Sequence, residues 1–370
     1  GLIQNVSQMK GSTRGMNFRI LAINPGSSTT KLAVYERETP LFEETIEHNG
    51  SAIAYSQNPE GALAFRMEYI LSSLAAHGVA LDSLDAVVGR GGLLRPIPGG
   101  VYAVGERMLA DLASGKYGDH ASNMGAMLAY GIAKQQNIPA FIADSVVTDE
   151  LCPLARLSGH PEISRVSVFH ALNQKAKARR FCAERGLNYD EINLIIAHIG
   201  GGATIGAHEK GRVIDVNDGL GGEGPYSAQR CGGLPTNAAL RLMEREQLSA
   251  TALLHKLNTK GGLLGYLGTD DGKEISRRAQ SGDQNARLVY EGMAYQVAKE
   301  IGACAAVLKG DVQAIILTGG FARDAMFTGW IAQRTRFLAE IVVMPGEDEQ
   351  QALCEAALRV LTGREQALEY

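Results

Sequence analysis

The residues Asn24-Pro25-Gly26-Ser27-Ser28-Thr29-Thr30-Lys31 form a polar knot between two apolar runs near the start of the chain. A tight turn between strands exposes backbone N–H groups that have no ladder partner. Such groups make a concave anion site, and glycine lets a phosphate approach without a Cβ in the way. Ser27, Ser28 and Thr29 add hydroxyl donors and Lys31 adds charge. The plain alternative is a hairpin turn, since Asn, Pro, Gly and Ser are turn formers in any case. A second loop weighs against it. The run His198-Ile199-Gly200-Gly201-Gly202-Ala203-Thr204 repeats the same order of strand, small polar loop, strand, turn and strand. Two such units in one chain read as a duplication, and two glycine-loop hairpins facing each other would form a cleft. A third glycine site, Thr318-Gly319-Gly320, follows the apolar run 314–317, where glycine lets a ring or ribose lie against backbone. Mononucleotide loops of other kinds are excluded. The stretch "ASGKYGD" lacks the spacing and the hydroxyl of a Walker loop, and no G-x-G-x-x-G closes a first strand onto a helix.

Charged side chains sit beside these loops. Arg90 follows an apolar run in "AVVGRGGLLRPIPGG", and Arg230 lies in the glycine-rich "GPYSAQRCGGLP". A guanidinium held among glycines is suited to clamp carboxylate or phosphoryl oxygens with its planar fork. Arg95 is a second candidate beside Arg90. His170 stands at a strand-to-helix junction in "SVFHALNQKA", and His198 ends a strand before the triple glycine. Asp144 ends the "FIAD" run, Asp215 ends another, and Glu347 precedes the last helix in "PGEDEQQAL". Magnesium takes a few carboxylates together with water and phosphate oxygens, and these acids suit it. The acids at 347–349 equally suit the positive end of a helix dipole.

These side chains need elements to position them. Strands are predicted over 19–24, 31–36, 86–89, 140–144, 193–198, 204–208, 212–216, 314–318 and 340–343. Helices are predicted over 60–77, 123–136, 169–184, 234–245, 249–257, 285–309 and 349–361. Strands interleaved with helices mean an α/β protein. The helix 285–309 puts Val289, Met293, Val297, Ile301 and Leu308 largely on one face.

The chain has 370 residues, 45% hydrophobic and 21% charged, which is enough for two domains with real cores. A net charge of -4 gives no nucleic-acid footprint and no polybasic membrane surface. Five scattered cysteines, odd in number and never spaced C-x-x-C, point to reduced thiols and a cytoplasmic protein. No apolar run approaches the roughly 20 residues of a membrane helix. Residues 1–15 are polar and patternless, and are expected to be a disordered extension or tag.

Longer segments carry a resemblance. The Asn24–Ser28 run, "GRGGLLRPIPGGVY", "GDHASNMGA", "SGHPEISRVSVFHALNQKA", "AHIGGGATIGAHEKGRVIDVND", "GLLGYLGT", "AYQVAKEIGACAAVLKG" and "ILTGGFA" occur in order over nearly the whole chain. Together they are similar to the butyrate kinases, which stand with acetate and propionate kinases in the superfamily of actin, sugar kinases and heat-shock ATPases. The resemblance implies two duplicated ribonuclease-H-like domains, 16–147 joined by the C-terminal helix at about 349–370, and 148–348. It implies ATP-dependent, magnesium-dependent, reversible conversion of butyrate to butyryl phosphate. Kinases of isobutyrate, propionate or acetate are the near alternatives, and a non-transferring ATPase or regulator the distant one. A homodimer or larger homo-oligomer is implied, with the second domain and the helix 285–309 contributing.

The resemblance also implies roles. Asn24 lies near the phosphates and magnesium, with Ser27, Ser28 and Lys31 in the first phosphate loop. His198, Gly200, Gly201 and Gly202 form the second loop, and Thr318, Gly319 and Gly320 the adenosine loop. Arg90 and Arg230 hold the acyl carboxylate and the transferring phosphoryl group. His170 stabilises the transition state, His120 stands near the substrate, Asp144 belongs to the catalytic centre, and Glu347 helps bind magnesium with Asp144 and Asn24. Acetate kinases read approximately R-V-V-H-G-G where this chain has Arg90-Gly91-Gly92-Leu93-Leu94. Glycine at Gly92 is therefore expected to leave room for a longer acyl tail.

Overall fold

The computed structural model describes residues 17–370, and the expected extension at 1–15 lies outside the described residues. The described chain divides into two compact units. One holds the residues through Thr148 together with Asp348–Tyr370, and the other is Asp149–Glu347.

The first unit is built on six strands: β1 (Arg19–Pro25), β2 (Thr29–Glu36), β3 (Thr39–Glu47), β4 (Ala86–Arg90), β5 (Val101–Ala103) and β6 (Ala140–Ala143), in the order β3-β2-β1-β4-β6-β5. The second has β7 (Asn193–Ile199), β8 (Ala203–Glu209), β9 (Arg212–Val216), β10 (Ala314–Thr318) and β11 (Ile341–Val343), in the order β11-β10-β7-β8-β9. In each, three antiparallel strands are followed by two parallel ones laid beside the first: β1 pairs β4 and β4 pairs β6, as β7 pairs β10 and β10 pairs β11. The same chain path drawn twice is the duplication suggested by the two glycine loops. The first unit adds β5 as an extra edge.

The central strands β1, β4, β7 and β10 read as near-continuous runs of Ile, Leu, Val and Ala because both of their faces are covered. In the first unit, helices Pro59–Ala76 and Asn123–Gln136 bury Ile70, Leu74, Leu128 and Ile132 against Leu21, Ile23 and Val87. The helix Glu349–Leu361 also packs on this sheet, with Leu353 and Cys354 fully buried. In the second unit the long helix Gln284–Val307 lays Val289, Met293, Val297 and Ile301 on the core. That apolar face is consumed inside its own unit, while Leu288 and Tyr295 stay exposed. All five cysteines are free thiols. No helix among the described residues is long and apolar enough to cross a membrane.

Strands β3 and β5 and the helices Glu106–Ser114, Gly262–Leu267, Gly272–Gln280 and Ala325–Thr335 were not expected from the sequence. The helix expected from Phe169 begins at Ala171, because His170 is its N-cap.

Two glycines set the position of Arg90. A Cβ at Gly89 would stand 2.2 Å from the Gly125 carbonyl oxygen, and one at Gly125 would stand 2.5 Å from the Arg90 carbonyl oxygen. Strand β4 and the helix Asn123–Gln136 therefore touch backbone to backbone. Gly89→Ala is expected to cost about 1–3 kcal/mol or more through overpacking, measured by urea denaturation. An unchanged midpoint would show that the two elements can separate without loss.

Candidate active site

In the first unit the candidate residues gather at the carboxyl ends of adjacent parallel strands, where open α/β sheets bind ligands. The register pairs Ile23 with Gly89 and Arg90 with Ala143, so Asn24, Arg90 and Asp144 fall at neighbouring strand ends. Asn24 is buried and donates its Nδ2–H to Glu349 Oε2 at 2.6 Å. Arg90 Nη1 lies 3.2 Å from the same carboxylate and donates to Asn24 Oδ1 at 3.4 Å. The carboxylate beside Asn24 is thus Glu349, at the first position of the last helix. Asp144 has a left-handed backbone, φ 42°, and accepts from the Gly100 N–H through Oδ1 at 2.9 Å. It therefore braces the Gly100 turn. His120 accepts the Ser122 N–H through Nδ1. Its pKa is lowered, first by burial of the ring and then by Arg90.

The polar knot is held from behind. Arg66, 2% exposed, donates to the carbonyls of Gly26 at 2.6 Å and Thr29 at 2.8 Å and to Thr30 Oγ1 at 2.9 Å. Its pKa is lowered by burial. With those carbonyls turned toward Arg66, Ser27 and Ser28 are exposed at the tip and Lys31 is exposed on β2, opposite Asn24. Arg95 is spent elsewhere, stacked 4.5 Å over the Tyr370 ring.

The expected room at Gly92 is absent on its side-chain side. A Cβ there would lie 2.7 Å from Asn123 Cα and 2.9 Å from Leu112 Cδ2, and one at Gly91 would lie 2.7 Å from Ser145 Cβ. These glycines let the loop close onto its neighbours. They do not open space for an acyl tail.

In the second unit the site is organised by His198, which is fully buried. Asn173 Nδ2 lies 2.9 Å from its Nδ1, and Glu347 Oε1 lies 2.7 Å from its Nε2. The Asn173 amide nitrogen also faces Thr318 Oγ1 at 3.3 Å and the Gly346 carbonyl at 3.5 Å. A carbonyl can only accept, so that end of the amide is the donor, and His198 then donates Nε2–H to Glu347. Glu347 is therefore tied to the end of β7. The His170 ring stacks on His198, with centroids 3.7 Å apart and planes 3° apart.

After His198 the chain turns through Gly200, Gly201 and Gly202. The Gly200 N–H donates to the Gly202 carbonyl, and Ser227 Oγ donates to the Gly201 carbonyl. Gly202 leaves space for Arg230, whose Nη1 would lie 2.1 Å from a Cβ there. Arg230 donates to the Gly219 carbonyl at 2.9 Å and makes no ion pair among the described residues. Burial lowers its pKa and Asp218 nearby raises it. Gly319 has φ 88°, and a Cβ there would stand 2.4 Å from the Ile199 carbonyl oxygen, so only glycine fits between β10 and the loop.

Gly200, Gly201, Gly320 and Glu347 open onto a cavity of about 1230 Å³ in this unit. Its other walls come from Gln229, Phe321 and the unexpected helix Gly272–Gln280, which presents Lys273, Ser276 and Arg277. A glycine loop at one end, an aromatic ring and basic side chains suit a phosphorylated ring compound. No group of three or more His, Cys, Asp or Glu residues among the described residues could hold a metal by itself. Magnesium that arrives with phosphate needs only one or two protein oxygens, and the Glu349 carboxylate with the Asn24 amide oxygen fits that demand.

Residues 164–343 match the family model described as the acetokinase family. Over that segment, just under half of the chain, the sequence is similar to the acetokinase family. Arg230, His198, the glycine loop and the cavity-lining helix all lie inside it. The chain also resembles solved structures over nearly its whole length. The acetate kinase of Porphyromonas gingivalis is 20% identical, with a TM-score of 0.75, covering 93% of this chain and 100% of that one. A propionate kinase from Francisella tularensis subsp. tularensis SCHU S4 is 19% identical, with a TM-score of 0.72, over 92% and 98%. The acetate kinase of Entamoeba histolytica is 15% identical, with a TM-score of 0.74, over 93% and 100%. At these identities the likeness is one of fold.

Three imidazoles resist protonation in the folded chain. His208 lies behind Thr204, and burial, then Lys175 and Arg179, put its pKa well below the ordinary value. His48 and His120 are lowered too, each mainly by burial. Unfolded, each takes a proton near the ordinary value of about 6.5, so the unfolded state binds more protons below that pH. Stability is unaffected by them above about pH 6.5 and falls on acidification, by up to about 1.4 kcal/mol per pH unit for each histidine that stays neutral. His208→Asn should therefore give a shallower decline in unfolding free energy between about pH 6.5 and 5. Equal slopes in urea titrations would contradict the assignment.

Proposed function

We propose that the chain transfers the γ-phosphoryl group of ATP to the carboxylate of a short-chain acid, with butyrate as its preferred substrate, giving butyryl phosphate and ADP. The observation that carries the reading is Arg230, a largely buried guanidinium with a carbonyl partner and, among the described residues, no acid paired to it, beside the glycine loop that opens onto the cavity. A desolvated cation in that place is matched to an anion that comes and goes. The acetokinase match over the same residues supports it.

An acid of this class is ionised at neutral pH, so its oxygen can attack without a general base. Catalysis is then positioning and neutralisation of charge during in-line transfer. Arg90 orients the carboxylate, while Arg230 and His170 serve the phosphoryl oxygens. The cavity between Gly320-Phe321 and the helix Gly272–Gln280 takes the nucleoside, and Gly201 offers its backbone N–H to the phosphates. Glu349 and Asn24 would hold magnesium, which would supply charge neutralisation.

With Gly92 closed by Asn123 and Leu112, preference for a longer chain has to come from apolar contact elsewhere. One methylene in an apolar pocket is worth about 1–3 kcal/mol, so preference should be graded. Acyl phosphate trapped as hydroxamate, with ATP, magnesium and straight or branched acids from C2 to C6, should peak at C4. A peak at acetate keeps phosphotransfer and removes butyrate. ATP binding without acyl phosphate from any acid would instead mean a nucleotide-binding protein that does not transfer. Arg230→Ala should lower kcat on the order of 10²-fold or more with nucleotide affinity largely kept, and near-normal turnover would remove Arg230 from the reaction.

A further inference from the structure

Behind His170 runs a buried chain of side chains that no role above uses. Tyr189 Oη meets His208 Nδ1 at 2.6 Å, His208 Nε2 meets Gln174 Oε1 at 2.9 Å, and Gln174 Nε2 meets both the Thr204 carbonyl and Thr204 Oγ1 at 3.1 Å. Thr204 Oγ1 in turn meets His170 Nδ1 at 2.8 Å. Gln174, Thr204 and His208 are all 0% exposed.

We propose that Gln174 is a positioning residue that fixes the ring tautomer of His170 through Thr204. The direction of every bond follows from one fixed point. The Thr204 carbonyl can only accept, so the end of the Gln174 amide that faces it is the NH2 group. Its Oε1 must then accept from His208 Nε2–H, which leaves His208 Nδ1 bare to accept the Tyr189 hydroxyl. Burial keeps His208 neutral, as this arrangement requires. Toward the site, Thr204 Oγ1 receives Gln174 Nε2–H and, at 3.4 Å, the His170 backbone N–H. Both lone pairs of that hydroxyl are taken, so its own hydrogen is directed to His170 Nδ1. His170 therefore carries its proton on Nε2, and the ring presents a donor there. A donor is what the oxygens of a transferring phosphoryl group need. The opposite tautomer would present a lone pair and repel them.

This inference rests on the proposed phosphotransfer only for its use, since the tautomer can be read without substrate. Two-bond 1H–15N correlation spectra of the full-length protein, without nucleotide or acid, separate protonated from bare ring nitrogens, with His170 assigned from a His170→Asn variant. The expected result is a proton on Nε2 and a bare Nδ1. In Gln174→Glu, studied up to pH 9 so that the introduced carboxylate is ionised, the Thr204 hydroxyl turns to that carboxylate and His170 moves its proton to Nδ1. Turnover should then fall on the order of 10²-fold with the KM for ATP within about threefold. Tyr189→Phe, which leaves the Thr204 carbonyl in control of the Gln174 amide, keeps the Nε2–H form. A wild-type His170 protonated on Nδ1, a tautomer unchanged in Gln174→Glu, or full turnover despite a reversed tautomer would each overturn the inference. The wild-type spectrum decides even if the variant does not fold. Failure of every acid to give acyl phosphate would sink the function and leave the spectra standing, whereas reversed spectra beside intact phosphotransfer would sink only the relay.

Discussion

An imidazole with no exposure to water, His198 at the end of β7, must find partners for both ring nitrogens inside the protein. It finds Asn173 from the helix Ala171–Arg185 and Glu347 from the segment that leads to the last helix. Those two bonds join a strand end, a helix start and the acidic stretch, and Thr318 at the end of β10 shares the Asn173 amide. The glycine loop that follows His198 therefore begins from a point held on several sides. Stacking of His170 on the same ring carries that rigidity to a residue of the proposed chemistry.

The first unit solves the matching problem differently. Its loop is of the same length but carries exposed serines, and its rigidity comes from Arg66 reaching the loop carbonyls from a helix in the core. A buried guanidinium with only neutral acceptors is costly. Its presence means the loop conformation matters more to this protein than the stability an apolar residue would bring. Asn24, Arg90 and Glu349 then form a compact set in which one carboxylate serves both an amide and a guanidinium. Two copies of one chain path thus carry different side-chain solutions at corresponding strand ends, which is what duplication followed by divergence of roles leaves behind.

Much of the frame was legible in the sequence because the central strands are apolar on both faces and the loops between them are rich in glycine. The elements that escaped have physical reasons. Strand β3, reading Thr39-Pro40-Leu41-Phe42-Glu43-Glu44-Thr45-Ile46-Glu47, is a charged edge with a half-buried alternation. The helix Gly272–Gln280 is polar over most of its length and reads as solvated surface, yet it turns Lys273, Ser276 and Arg277 to the cavity. Arg66 sits mid-helix among apolar neighbours, and nothing in its spacing distinguishes a buried arginine from a surface one. Glu347 and Glu349 stand two residues apart in one acidic run, and only the folded chain separates the partner of His198 from the partner of Asn24. Gly92 was misjudged because an absent side chain means open space or close packing, and the sequence is the same for both.

The central claim is that the acid's own oxygen attacks phosphorus. Incubating the protein with ATP, magnesium and butyrate labelled with 18O in the carboxylate, then cleaving the product with hydroxylamine at its carbonyl carbon, puts the bridging oxygen in the released phosphate. The account predicts one 18O atom per phosphate by mass spectrometry. Unlabelled phosphate would mean that water, not the carboxylate, takes the phosphoryl group, and would contradict it.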